Sequence, residues 1–434
     1  MNNIDSIQYV TAVVASEKGE IFDLEGFAAV GMAGEQLVPL TFENTVETPF
    51  GSEQMLLPDR MPIIFNIITG EIEVLDVNPY NKNEKIFPVA VFNSPGYVNS
   101  YVSAYEERKN AGILPLFSYG AAGWGSGGFR SAAILVDKEK RQDLRLMPEA
   151  KVNSGVKTIR KKYPENRLRK HLERCAQVYG CPAAKNFFVG RCEAPLPTSQ
   201  HCNANCLGCI SLQKTDQISC CQERITFTPT PDEITEIAVE HINKVEKSVV
   251  SFGQGCEGDP LLAAESIEPA ISKIRSITTE GTINVNTNAS RPEVVSNLFD
   301  AGLDSIRVSL NSVRKDCYNA YFRPAGYSFE DVLQSIEIAG KKGGFISINY
   351  LNTPGITDSV EEYEALVDFI DKYKINFIQW RNLNFDPVIY YDVMLAADSQ
   401  SSPLGMDNVI NMLRKKFPLL QHGYFNPAKE NWKL

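Results

Sequence analysis

The chain has 434 residues, 43% of them hydrophobic and 22% charged, with a formal net charge of −10. Those values describe roughly two or three globular domains with a large core, and exclude a small disulfide scaffold or a low-complexity chain. The acidic balance disfavours general nucleic-acid binding, and no run approaches the roughly 20 apolar residues of a membrane span. The N-terminal MNNIDSIQYVTAVVAS lacks the basic start, apolar run and cleavage site of an export signal, so the expected compartment is the cytoplasm.

Residues 1–150 read as a β-rich domain of unidentified role. Short apolar runs at Tyr9–Val14, Ile63–Ile68, Glu71–Val74 and Ala132–Val136 are separated by turn-like Lys-Gly and Thr-Gly pairs. Gly123-Trp-Gly-Ser-Gly-Gly128 satisfies G-x-G-x-x-G, but a strand rather than a helix follows it, so it reads as a turn and not as a dinucleotide site. Residues 151–192 form a basic, cysteine-containing helical linker with nine Lys or Arg against two acids between Lys151 and Arg174. A solvated helix face is the commoner meaning of such a run; a phosphate or RNA contact is the rival. Leu168, Leu172 and Cys175 give the same helix an apolar stripe, which Gly180 and Pro182 end.

From 193 to about 385 strands alternate with helices, the pattern of a parallel sheet. The expected strands are Ala194–Ser199, Ser248–Phe252, Thr282–Asn286, Ser305–Leu310, Phe345–Leu351 and Asn376–Trp380. Helix starts are marked by Thr230…Glu233, Ser290…Glu293 and Ser359…Glu362, each with capping-box spacing. Residues 386–434 complete the chain as a helical extension.

None of the ten cysteines precedes Cys175, and six fall between Cys175 and Cys209, which points to metal chemistry in a reducing compartment. Cys202, Cys206 and Cys209 are spaced C-x₃-C-x₂-C after an extended segment. Three thiolates can hold three irons of a 4Fe–4S cube and leave the fourth open. A zinc knuckle is the rival, but zinc wants a fourth N or S ligand, and only His201 or Cys220–Cys221 lie near.

This spacing resembles that of the radical S-adenosylmethionine (SAM) enzymes, and the strand exits that follow are similar to theirs in order. The resemblance implies an incomplete six-unit (β/α) barrel, a 4Fe–4S cluster and SAM bound at its open iron. Gly258-Asp259 resembles the Gly-Gly-Glu element that receives the SAM amino group, with Glu257 as a competing acid. Asn288 falls in a Thr-Asn-Gly-like exit, Ser309 and Asn311 where relatives contact the ribose, and Arg323 where a basic residue pairs with the SAM carboxylate. Pro354–Asp358 is similar to a segment that touches adenine; relatives usually have an aromatic residue where Gly208 stands, leaving Ile210 or Leu212 to pack the adenine.

The resemblance further implies radical generation by reductive SAM cleavage, hydrogen abstraction from an unidentified substrate, and a flavodoxin- or ferredoxin-type electron donor. Trp380, Arg381 and Asn382, a polar and aromatic strand exit, are the expected substrate contacts, with Trp380 as plain core the rival reading. Cys175, Cys181 and Cys192, with Cys220 or Cys221, are candidates for an auxiliary cluster. An iron–sulfur protein without SAM turnover and an RNA-modifying radical SAM enzyme are the alternatives.

Overall fold

The computed structural model describes residues 7–433; the first six residues of the N-terminal stretch read above lie outside it. The N-terminal third is a 13-stranded antiparallel sheet whose spine is Thr11–Ser16, Ile21–Ala33, Asn81–Phe92 and Gly120–Gly125. Strands occur where expected, at Thr11–Ser16, Arg60–Asn66, Glu71–Val74 and Ala133–Leu135. The Gly-rich stretch is the tip of a hairpin between Gly120–Gly125 and Gly128–Ser131, with Ser126 and Gly127 at φ 53° and 76°, as two-residue hairpin turns require.

The second part is a curled sheet of seven parallel strands in sequential order: β1 (Glu193–Pro195), β2 (Val249–Phe252), β3 (Thr282–Thr287), β4 (Ser305–Leu310), β5 (Phe345–Asn352), β6 (Phe377–Asn382) and β7 (Gln421–Gly423). It is the expected incomplete barrel with one strand more, β7, contributed by the C-terminal extension. Strand alternation sorts its two faces. Ile306, Val308 and Leu310 on β4 are buried in the main core, while Arg307 shares a cavity with Glu193 of β1 and Gln379 and Arg381 of β6 on the concave side.

The helices are α1 (Glu149–Lys162), α2 (Arg167–Gln177), α3 (Pro182–Val189), α4 (Pro231–Lys244), α5 (Ala264–Ile277), α6 (Pro292–Asp300), α7 (Lys315–Phe322), α8 (Phe329–Lys341), α9 (Val360–Tyr373), α10 (Pro387–Ala397) and α11 (Met406–Lys416). Thr230 and Glu233 form the expected capping box on α4. Ser290 does not cap α6: Pro292 starts the helix at Arg291, and Ser290 Oγ accepts instead from Asn203 Nδ2, 2.9 Å away. Ser359 caps α9, but Glu362 turns into the core, accepting from Ser312 Oγ (2.6 Å), Val313 N (3.1 Å) and Arg314 Nε (2.9 Å).

The basic run on α1 and α2 is largely neutralised. Arg160 and Arg169 pair with Glu173, Lys162 with Glu240, Arg167 with Glu233, Lys170 with Glu165 and Arg174 with Glu223. Leu168, Leu172 and Cys175 are buried as the apolar stripe requires. Among the described residues no helix is long and apolar enough to cross a membrane.

The β-rich part docks on the exits of β5 and β6. Asn382 Oδ1 accepts from Asn99 N (2.8 Å), Asn382 Nδ2 donates to Tyr97 O (3.0 Å), and Asn352 Nδ2 donates to Asn99 O (2.8 Å). Asp386, at the N-cap of α10, accepts from Arg60 Nη2 (3.1 Å), Tyr105 Oη (3.2 Å) and Leu114 N (3.1 Å) with no exposure of its own.

Candidate active site

The loop carrying Cys202, Cys206 and Cys209 follows β1 and is held from several sides. Glu257, in the loop after β2, accepts four backbone N–H bonds, from Thr198 (2.7 Å), Ser199 (2.8 Å), Gly253 (2.8 Å) and Gln254 (2.7 Å), and so ties the exits of β1 and β2 together. Burial nonetheless pushes its carboxyl up to about 7, those N–H bonds pulling the other way. Gly258 N donates to Ser199 O (2.7 Å) and Asp259 N to His201 O (2.8 Å). The approach is so close that a Cβ on Gly258 would lie 1.8 Å from the His201 carbonyl oxygen, which explains the glycine.

On the other side Asn205 N donates to Phe322 O (2.8 Å) and Leu207 N to Tyr321 O (3.1 Å), at the end of α7. Asn203 Oδ1 accepts from Asn288 Nδ2 at 2.8 Å, joining the loop to the exit of β3. Three strand exits and one helix end therefore fix the backbone before any metal binds.

The three thiols are half-buried. Burial, then the Asp259 charge, pushes Cys202 up to about 11; burial, then Cys202 and Cys209, pushes Cys206 well above the ordinary thiol range. Arg224 brings a cation close, its Nη2 lying 3.7 Å from Cys209 Sγ. Such a trio resists ionising by itself and suits a cationic metal–sulfur core. Geometry separates the candidates. Four-coordinate zinc, at about 2.3 Å per sulfur, holds its sulfurs under about 4 Å apart. Among the described residues, the one His/Cys/Asp/Glu group whose donor atoms all fall within 4.8 Å of one another lies elsewhere, and the loop thiols are not in it. At least one pair of loop thiols is therefore more than 4.8 Å apart, wider than a single tetrahedral zinc holds its sulfurs.

A cavity of about 340 Å³ adjoins Cys206 and Cys209, lined also by Arg224 and Arg323 and by the apolar Leu212, Phe385 and Ile389. Arg323 caps α7 in the left-handed region at φ 47°. At Gly208 a Cβ would sit 3.0 Å from both the Tyr321 hydroxyl and Asn384 O, so the expected aromatic side chain has little room there. Leu212 is on the cavity wall, whereas Ile210 packs against Gly255.

The remaining expected contacts divide. Ser309 faces the concave side with Arg307 and is half-exposed there. Asn288 is bonded to the cysteine loop. Both acids after β2 are committed to the protein: Asp259 accepts from Leu261 N, Thr287 Oγ1 and Asn288 N, so it and Glu257 work as staples rather than as free acceptors for an amino group. Asn311 is fully buried beneath α10, donating to Cys317 O (3.1 Å) and Tyr390 Oη (3.2 Å), because the chain turns outward after β4. Gly355, at φ 95°, lies under the Gly34 turn of the β-rich part, so the Pro354–Asp358 segment carries the docking contact.

Of the substrate trio only Arg381 faces the concave side. Trp380 points the opposite way, is fully buried and donates Nε1–H to His422 Nδ1 (3.1 Å), and Asn382 is used in docking. Arg381 sits 3.8 Å over the Tyr424 ring. With Arg307 and Arg141 it faces a single acid, Glu193, bonded to Arg141 at 3.0 Å. Burial, then Arg381, pulls the Arg307 guanidinium down to about 9. Arg307 Nε and Gln379 Oε1 are buried without partners, polar capacity that an occupant can use. Sequence reading missed Arg307, Arg224 and Tyr321. Arg307 alternates with apolar neighbours on a strand, a signal that was there to be used.

The candidates for an auxiliary cluster are not gathered in one place. Cys192 O accepts from His241, Cys221 Sγ meets Leu116 O, and Cys220 is exposed. Cys175 has other neighbours, taken up below.

Residues 196–370 match the family model described as the radical SAM superfamily. An uncharacterised protein of Methanocaldococcus jannaschii is 27% identical over 161 residues, 37% of this chain and 48% of that protein, so the match spans about half of the relative's length. Among solved structures, methylornithine synthase matches at TM-score 0.39 and 15% identity over 65% of this chain and 77% of its own. SuiB of Streptococcus suis matches at 0.37 and 13% over 76% and 71%. At those values the solved structures add nothing to the reading of the site. With the family domain go a 4Fe–4S cluster and SAM as cofactors. Residues 196–370 thus form a radical SAM superfamily domain.

Proposed function

We propose that the protein is a radical SAM enzyme acting on a substrate with an anionic group. Cys202, Cys206 and Cys209 hold the cluster, and the observation that carries the reading is their placement on a loop braced by three strand exits. When bound and reduced, cluster and SAM supply a 5′-deoxyadenosyl radical that removes a hydrogen atom from the substrate. The chain's own part is to bind and orient. The loop from Glu257 to Asp259 and the side chains of Asn288 and Ser309 line the SAM site, and Arg323 meets its carboxylate. Asn311 acts on that site through α7, whose Cys317 carbonyl it holds. Arg381 and Arg307 anchor a substrate carboxylate or phosphate on the concave side, where one acid leaves positive charge in excess. The β-rich part, docked over the exits of β5 and β6, restricts entry. We take the working division as residues 1–150, 151–192, 193–385 and 386–434, the last contributing β7. A flavodoxin- or ferredoxin-type protein of the cytoplasm delivers the electron, a compartment that suits ten free thiols.

The test is anaerobic reconstitution, reduction and addition of SAM. 5′-Deoxyadenosine and methionine are expected, and Cys202→Ala abolishes both. Intact iron and sulfide with neither product would overturn the reading in favour of a redox protein.

A further inference from the structure

A second donor cluster lies behind the loop that follows β2. His171 and Cys175 are four residues apart on α2, which puts both side chains on one face. Cys256 reaches them from the β2 exit, immediately before Glu257. His171 Nε2 lies 3.4 Å from Cys175 Sγ and 3.4 Å from Cys256 Sγ, and all three donor atoms fall within 4.8 Å of one another. Both cysteines are buried, and the edge of the Phe227 ring closes off His171.

Hydrogen bonding satisfies this triad only as a chain, one thiol bonded to the imidazole nitrogen and the other to its partner sulfur. A metal ion uses all three at once. Zinc–sulfur bonds of about 2.3 Å and zinc–nitrogen bonds of about 2.0–2.1 Å, at tetrahedral angles, place N and S about 3.5 Å apart. Both N···S distances here are 3.4 Å. One nitrogen and two sulfurs are also a borderline-soft set that suits zinc over calcium, magnesium or manganese.

We propose that His171, Cys175 and Cys256 bind one tetrahedral zinc ion that pins α2 to the loop bearing Glu257, Gly258 and Asp259. The fourth corner belongs to water, or to Cys181 once its side chain turns inward, since its thiol is not within 4.8 Å of all three donor atoms. Cys181 opens α3, and its N–H donates to Cys175 O at 2.9 Å. The ion is structural: it holds the β2 exit against the helical layer, and no part of it belongs to the cluster loop.

The experiment uses the full chain carrying Cys202→Ala, Cys206→Ala and Cys209→Ala, which lacks the three loop thiols. It is purified without chelator and analysed for zinc, iron and sulfide. About one zinc per chain is expected, falling at least about tenfold in the same chain with His171→Ala or Cys256→Ser. Co²⁺ added to the chelator-stripped chain with this site intact gives thiolate-to-cobalt charge transfer and tetrahedral d–d bands; this reading stands even where the ligand variants fail to fold. Zinc near zero with no such bands overturns the proposal. Zinc that survives both ligand substitutions overturns it too, as does retained iron and sulfide, or a Cys175–Cys256 disulfide in freshly purified protein. Zinc content here is independent of SAM chemistry, so the two readings fail separately.

Discussion

Asp386→Ala tests what joins the two halves of the molecule. Asp386 has no exposure, Arg60 has 1%, and the aspartate accepts from Arg60, Tyr105 and Leu114 of the β-rich part while capping α10 through Val388 N at 3.2 Å. Arg60 keeps the Pro58 carbonyl at 3.1 Å and one acid, Glu107 at 2.7 Å, which is 40% exposed and therefore a weak substitute. Removing one partner of a buried ion pair costs about 3–5 kcal/mol, because the other charge remains in the interior uncompensated. Arg60→Met strands the carboxylate and is expected to cost a similar amount. Once both are gone no buried charge is left, so the double variant should fall short of the summed singles by at least about 1.5 kcal/mol. Urea unfolding at pH 7, compared at equal slope, reads the three losses. Additivity within about 0.5 kcal/mol would refute the claim that this pair fastens the halves.

Three further outcomes are expected. Gly258→Ala drives a Cβ toward the His201 carbonyl oxygen, so SAM cleavage should drop about a hundredfold with circular dichroism unchanged; full activity would mean this contact does not set the cysteine loop. Burial holds His422 at about 4 against 6.5 in the unfolded chain, and its Nδ1 accepts from Trp380 only while neutral. Below pH 6.5 the unfolded chain therefore binds a proton that the folded one does not, and stability falls by up to about 3 kcal/mol as pH drops to 4. His422→Gln should flatten the urea midpoint's pH dependence across that window, and an unchanged slope counts against the assignment. Arg381→Leu should raise KM for the anionic substrate about 10–100-fold with kcat little altered; an unmoved KM removes Arg381 from the anchor.

The parallel strands were legible because alternating apolar residues such as Ile306, Val308 and Leu310 stand between helices with clear start signals. The strand Gln421–Gly423 was not: three residues carry no periodicity, and pairing with β6 alone makes it a strand. The cysteine loop was readable from spacing, since its ligands are local. His171, Cys175 and Cys256 were not, because about 80 positions of chain separate partners that only folding brings together. Trp380, Arg381 and Asn382 show a third case. Alternation separates their faces, but which face looks inward depends on the curl of the whole sheet. Asn311 was misplaced for a related reason: its loop turns under α10, and no local signal announces that turn. Arg307 had the opposite fate, a charged residue in plain view on a buried strand.

The docking of Asp386 onto Arg60 and Tyr105 also has a temporal side. The partners are 326 and 281 positions apart in the chain. On a ribosome adding about 5–20 residues per second, Arg60 emerges roughly 15–60 s before the carboxylate that will neutralise it. Through that interval the nascent β-sheet must stay out of aggregates with its docking face bare, a task suited to the guanidinium itself, which keeps the waiting surface wet.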